Sequence, residues 1–198
     1  MQTAFMDTQT SDPFLTVLPR DRFLVELADR EAIRDCLYRY CRGIDRCDAD
    51  LLRSAYWPDG LDSHAVPGKP PLNAYDFIGR VMPKLEMMQR TQHQITNSLI
   101  RIDGDNANVE SYFWAVHQEH RDGELQDVHA AGRYLDRFTK RNGEWRIAHR
   151  HVLIDWFRVG EKSSDWSQGM FGKPSEGGDR FGRDFSGSFF AAGSAARS

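Results

Sequence analysis

From Thr91 to about Val159 the apolar residues of the chain alternate with a period of two. Three tight-turn signals interrupt that run: Asp103-Gly104-Asp105-Asn106, Asp122-Gly123 and Asn142-Gly143. Asp-Gly and Asn-Gly supply the left-handed backbone that a short hairpin turn needs. The stretch therefore predicts four consecutive strands, about Gln92 to Ile102, Ala107 to His120, Gln126 to Lys140 and Glu144 to Val159. Connections this short force neighbouring strands to run antiparallel. A sheet of such strands buries one face against something else, and the segments with a helical pattern all come before it.

The first of those segments carries Ile33, Leu37, Tyr40 (with Cys41) and Ile44, an i, i+4, i+7, i+11 stripe. It predicts one amphipathic helix over about Arg22 to Arg42. Asp48 reads as the N-cap of a short helix through Leu51, Leu52 and Tyr56, which Trp57-Pro58-Asp59-Gly60 ends. Leu61 to Val66 reads as a short strand and the run from Pro67 to Pro71 as a loop. Asn73 then caps a helix with Phe77, Val81, Leu85 and Met88 along one side. Helices followed by a meander describe an α+β domain with helices packed on one face of a curved antiparallel sheet. The expected organisation is an N-terminal arm at 1–20, the domain at 21–160, and a Gly-, Ser- and aromatic-rich tail at 161–198. Trp166, Phe171, Phe181, Phe185, Phe189 and Phe190 suggest that the tail covers a pocket mouth or a neighbouring subunit.

Composition narrows the function classes. A net charge of −3 gives no electrostatic footprint for nucleic acid or an anionic membrane. No apolar run reaches the length of a membrane span, and Met1 to Arg20 lacks the plan of a secretory signal. Cys36, Cys41 and Cys47, an odd cluster without CxxC spacing, read as reduced thiols. The expected setting is cytoplasmic. His149-x-His151 is at most half of a metal site, with no nearby carboxylate or cysteine to complete it, so no metal is expected. No P-loop, nucleophile elbow or dinucleotide fingerprint is present.

Asp45 stands just past Gly43, near the C-terminal end of the first helix. A carboxylate there faces the negative pole of the helix dipole and costs up to roughly 1 kcal/mol. A locally unfavourable residue at an element's end points to function, although taken alone it also fits a surface salt bridge. His93 opens the first long strand, and taken alone it also fits an ordinary hydrogen-bonded strand residue.

The run Tyr-Cys-Arg-Gly-Ile-Asp (Tyr40 to Asp45), Tyr56-Trp57-Pro58-Asp59, Thr91-Gln92-His93, Gly132-Arg133-Tyr134 and the ending Trp145-Arg146-Ile147-Ala148-His149-Arg150 resemble the SnoaL-like branch of the NTF2-like (cystatin-like cone) superfamily. That branch holds scytalone dehydratase, bile acid 7α-dehydratase, a hexachlorocyclohexane dehydrochlorinase and polyketide cyclases. Asp45 and His93, 48 residues apart, resemble the Asp–His dyad of its lyases, and Tyr40 matches the dehydratase pattern in particular. The resemblance implies a cone whose concave face encloses a cavity between helices and sheet.

It also implies a chemistry. An imidazole, with an ordinary pKa near 6.5, is the base that stays neutral at cellular pH, and a carboxylate on its other nitrogen orients it. His93 is then the base and Asp45 its partner. Tyr40 and Tyr56 are candidates to stabilise an oxyanion or leaving group, Tyr40 being equally suited to core packing. Trp57, Phe77, Met82, Trp114 and Trp156 are candidate apolar walls. Asn97, on the same face as His93 by alternation, His117 and Arg150 are the polar candidates. Alternation puts His149 and His151 on one face and Arg150 on the other, with the inward side undecided. The expected activity is that of a cofactor-independent lyase on a small hydrophobic, aromatic or polycyclic hydroxylated compound. It loses water, or a fragment such as formaldehyde by retro-aldol cleavage. An isomerase or cyclase in the same cavity, or a non-catalytic binding or assembly module, are the alternatives. A homodimer or homotrimer is expected.

Overall fold

The computed structural model describes residues 19–64, 68–163, 169 and 177–191. The N-terminal arm, but for its last two residues, and Trp166 and Phe171 of the tail lie outside the described residues.

The first helix, α1 (Arg20–Asp45), extends to Asp45 rather than ending at Arg42. Its first turns are exposed, and burial begins at Ile33 and continues through Leu37, Tyr40 and Ile44. The short helix α2 (Ala49–Ser54) starts where the Asp48 side chain accepts the Leu51 N–H at 2.9 Å. A Cβ at Gly43 would lie 2.7 Å from the Leu52 backbone nitrogen, so glycine is what lets α2 cross α1 beside Asp45. Tyr56 does not continue α2 as expected but opens β1 (Tyr56–His64). After β2 (Leu72–Asn73), Asn73 caps α3 (Ala74–Met87) by accepting from the Tyr75 and Asp76 N–H groups.

The meander follows as β3 (Arg90–Asp103), β4 (Asn106–Arg121), β5 (Glu124–Arg141) and β6 (Glu144–Lys162). Two hairpins turn on the expected pairs, with φ of 51° and 84° at Asp122 and Gly123 and 53° and 83° at Asn142 and Gly143. Both central residues are thus left-handed, as the right-handed twist of the flanking strands demands. The six strands form one sheet in the order β2-β1-β6-β5-β4-β3. β1 runs parallel to β6, and every other neighbouring pair is antiparallel.

One face of the sheet is the core. Phe113, Tyr134, Phe138, Ile147 and Val152 meet the buried sides of α1 and α3 there. Alternation decides which side chains reach it. Ser111, Phe113 and Ala115 of β4 are buried, whereas Tyr112 and Trp114 between them are 41% and 39% exposed on the far face. The helices pack on the concave face of this curved sheet, the α+β cone that the sequence predicts.

Candidate active site

α1 ends on Asp45, and β3 carries His93 to it. Asp45 Oδ1 stands 2.7 Å from His93 Nδ1, and Oδ2 accepts the His93 backbone N–H at 2.8 Å. The two donated bonds offset the unfavourable position of the carboxylate at the helix end. Only 11% of the Asp45 side chain and 7% of the His93 side chain is exposed. An ionised carboxylate only accepts, so Nδ1 carries the proton and Nε2 holds the free lone pair. The arrangement is that of a general base with a fixed tautomer.

Asp45 and His93 line an open cleft of about 720 Å³, walled by Tyr38, Cys41, Arg42 and Ile95 and rimmed by Asp184 and Ser186. The last two come from the tail. Arg180, 7% exposed, fastens that segment by donating to the Leu85 and Met88 carbonyls at 2.5 and 2.7 Å and to Thr91 Oγ1 at 3.2 Å. Arg46 donates to the Asp179 carbonyl at 2.9 Å, and the Phe181 N–H donates back to the Arg46 carbonyl. The described part of the tail is therefore a piece of the cleft wall.

His117 of β4 sets its ring edge-on to His93, centroid to centroid 5.1 Å. Burial, with His93 beside it, pushes its pKa down to about 4, so it is neutral at pH 7. The consequence for stability has a definite sign. In the unfolded chain a histidine titrates near 6.5, so between about 6.5 and about 4 the unfolded state binds the extra proton. The contribution of a neutral His117 is complete above pH 6.5 and is lost as the pH falls toward 4. Denaturant titrations at pH 7 and pH 4.5 should show a larger loss for the wild type than for His117→Phe.

Tyr40 and Arg150 meet deeper in the cone. The Arg150 guanidinium lies between the Tyr40 and Tyr134 rings, 3.9 Å from each centroid. Its Nε and Nη2 donate to the two Asp136 carboxylate oxygens at 2.8 and 2.7 Å, with both side chains fully buried. Burial pushes the Asp136 pKa up even though the Arg150 guanidinium pulls it down, and against its own burial Arg150 is raised well above the usual value, chiefly by that carboxylate. Tyr40 Oη and Arg150 Nη1 are left without a hydrogen-bond partner of good geometry. Burial raises the Tyr40 and Tyr56 pKa values, so both phenols stay protonated. Of the alternating residues on β6, Arg150 is the one that enters the interior, while His149 bonds Ser63 Oγ through Nε2 at 3.1 Å. Among the described residues no group of three His, Cys, Asp or Glu is placed to hold a metal ion.

Four residues expected at the cavity are elsewhere: the polar candidate Asn97 and the wall candidates Trp57, Trp114 and Trp156. Asn97 is exposed because the β3–β4 register shifts between Ile95 and Ser98, handing the inward place to Ser98, whose Oγ stands 2.9 Å from Ser111 Oγ. Trp114 is on the outer face, edge-on to Trp156 at 5.0 Å. Trp57 donates its Nε1–H to the Thr139 carbonyl at 3.1 Å and lies under the Arg141 and Arg146 guanidinium groups at the sheet margin. None of the four lines the cleft. Phe77 and Met82 are core residues of α3.

A SnoaL-like domain model matches residues 25–151. The chain belongs to the SnoaL-like domain family. Solved structures of the same fold include a hexachlorocyclohexane dehydrochlorinase (LinA) Type2, at 19% identity and TM-score 0.62, covering 73% of this chain and 99% of that one. A scytalone dehydratase-like protein from Novosphingobium aromaticivorans matches at 20% identity and TM-score 0.60, over 83% and 99%. The Kfla4162 protein from Kribbella flavida matches at 21% and 0.61, over 67% and 95%. No curated protein matches the chain. The family match ends at residue 151, so the cleft-rimming segment around Asp184 lies outside it. No described helix is long and apolar enough to cross a membrane.

Proposed function

We propose that this SnoaL-like protein is a cofactor-independent lyase acting on a small hydrophobic, hydroxylated aromatic or polycyclic compound. The observation that carries the reading is the pair of hydrogen bonds between Asp45 and His93, which holds the imidazole by Nδ1 and leaves Nε2 as the basic nitrogen of a ring that lines a cleft. His93 takes a proton from carbon next to an electron-withdrawing group, or from a hydroxyl, and Asp45 pairs with the imidazolium that forms. In the first case the carbon–oxygen bond breaks and the departing oxygen takes up a proton to leave as water; in the second a carbon–carbon bond breaks, an aldehyde such as formaldehyde leaves, and the carbon that keeps the electron pair takes the proton back from the imidazolium. Tyr40 Oη and Arg150 Nη1, the unpartnered donors in the interior, are suited to a developing oxyanion. Two relatives of the same fold bear names of enzymes that eliminate, which agrees with this reading.

Incubating hydroxylated aromatic and polycyclic compounds with the protein, without added cofactor, and weighing the products tests it. A product lighter by water or formaldehyde supports the lyase. A new product of unchanged mass would instead mark an isomerase or cyclase, and binding without turnover a ligand-carrying module.

A further inference from the structure

The described tail residues are bonded to both of the elements that form the dyad. From the end of α1, Arg42 Nη2 donates to Ser186 Oγ at 3.2 Å and Arg46 Nη1 to the Asp179 carbonyl at 2.9 Å. From the start of β3, Arg90 Nη1 donates to the Gly178 carbonyl at 2.6 Å. Arg42 and Arg46 stand three residues before Asp45 and one after it, and Arg90 stands three before His93. Residues 178–186 therefore bridge the two elements beside the point where they meet.

Two features of this bridge are unfavourable in themselves. Arg180 is a buried cation, 7% exposed, that forms no ion pair among the described residues. Its guanidinium instead donates to the Leu85 and Met88 carbonyls at the C-terminal end of α3, where the helix dipole is negative. It also reaches Thr91 Oγ1, two residues before His93. Phe181 holds a φ of 58°, a left-handed backbone that a bulky side chain rarely adopts. Strain of that kind persists only where the surroundings fix it. Here the Phe181 N–H donates at 2.9 Å to the carbonyl of Arg46, the neighbour of Asp45. Asp184 closes the turn by accepting the Asp179 and Ser186 N–H groups at 2.8 and 2.9 Å.

We infer that residues 178–186 are a strap that positions the dyad. Through Arg180 and Phe181 the strap holds the end of α1 and the start of β3 at the separation that lets Asp45 accept both donors of His93. Both are positioning residues, acting through the pair. The inference deepens the lyase reading and rests on it for the kinetic readout, whereas the bond between Asp45 and His93 is read without turnover.

Two variants of the full chain test it. Arg180→Gln removes the anchor. Phe181→Pro removes the N–H donor and cannot adopt a φ of 58°, and at a side chain 52% exposed it takes nothing from the core. The His93 Nδ1 proton is followed by ¹⁵N-edited NMR, and kcat and KM are measured on the compound that the mass screen yields. Below their melting midpoints both variants should lose the Nδ1–H signal. Their kcat should fall by between about tenfold and a hundredfold, as for a misplacement on the order of 1 Å, with KM within about threefold of wild type. Arg180→Lys, which keeps the charge and part of the bonding, should recover part of kcat.

A role confined to stability lowers the melting midpoints and leaves the signal and kcat of the folded protein at wild-type values. That result in either variant overturns the strap and leaves the lyase reading standing; if Arg180→Gln does not fold, Phe181→Pro decides. A wild type that turns over no compound sinks the lyase reading, while the Nδ1–H signal still decides the strap. A wild type without that signal sinks both.

Discussion

The His93→Ala variant is expected to lose between about 10²- and 10⁴-fold in turnover on whichever substrate the screen yields, the range typical of a general base. Its thermal midpoint should stay near that of the wild type, because the backbone N–H of residue 93 still bonds Asp45 and the ring is not part of the apolar core. Asp45→Asn should be nearly as damaging, for a reason that the geometry specifies. Asp45 accepts from two donors of His93, the ring Nδ1–H and the backbone N–H. An amide offers one oxygen and one NH₂, so it accepts only one of them. If its NH₂ faces the ring, Nδ1 must become the acceptor, and the proton moves to Nε2, the atom that has to be free. If its NH₂ faces the backbone N–H, two donors collide at the start of β3. Steady-state kinetics of both variants with circular dichroism melts checks this. Turnover within about threefold of wild type in His93→Ala would remove the residue from the mechanism.

The largest loss of stability is expected at Arg150. Its guanidinium and the Asp136 carboxylate are both fully buried and joined by two hydrogen bonds. Arg150→Met leaves a carboxylate in the core with no cation, which costs roughly 3–5 kcal/mol. In a domain of this size that lowers the melting midpoint by about 10 °C or somewhat more. The companion variant, Arg150→Met with Asp136→Leu, removes the stranded charge and should recover most of the loss, since replacing both partners by apolar groups is often close to neutral. A single-variant loss below about 1 kcal/mol would mean that water reaches the pair. The double variant is informative about function as well. If it folds but no longer turns substrate over, Arg150 contributes to the chemistry and not only to the core.

Much of this was legible before the fold. Turn chemistry at Asp122-Gly123 and Asn142-Gly143 needs φ > 0 at two successive residues, and few sequences other than these supply it. The caps at Asp48 and Asn73 were equally local. The pairing of Asp45 with His93 is readable because Asp45 is an anomaly at a helix end and the spacing of the two resembles that of a known family. The errors came from counting. Asn97 shares the parity of His93, but the register shift after Ile95 breaks the alternation, and nothing in Thr96-Asn97-Ser98 announces it. Trp114 and His117 cannot both face the cavity, since an odd separation on one strand puts them on opposite faces. Parity alone argues against Trp114.

The long-range pairing was not legible. β1 lies parallel to β6 although paired residues such as Tyr56 and Ile147 are about 90 positions apart in the chain, and no local signal specifies that partner. With β1 read as beginning after Gly60, Tyr56 went to a helix, and the hydrogen-bonded triplet Tyr56, Asp62 and His64 was not seen as one constellation. The available signal was Asp62-x-His64, an acid and an imidazole with strand spacing in a half-apolar run. Asp136 and Arg180 were missed for the opposite reason. A single charged residue in a strand or a tail looks solvated until its buried partner is known.

The most direct test of the central claim is the protonation of the His93 ring itself. In protein labelled with ¹⁵N at histidine, long-range proton–nitrogen correlation at neutral pH distinguishes the two ring nitrogens. His93 should show a protonated Nδ1 and an unprotonated, lone-pair-bearing Nε2, and Asp45→Asn should lose that pattern. A proton on Nε2 with Nδ1 bare would contradict it, because the dyad would then present no base to the cleft.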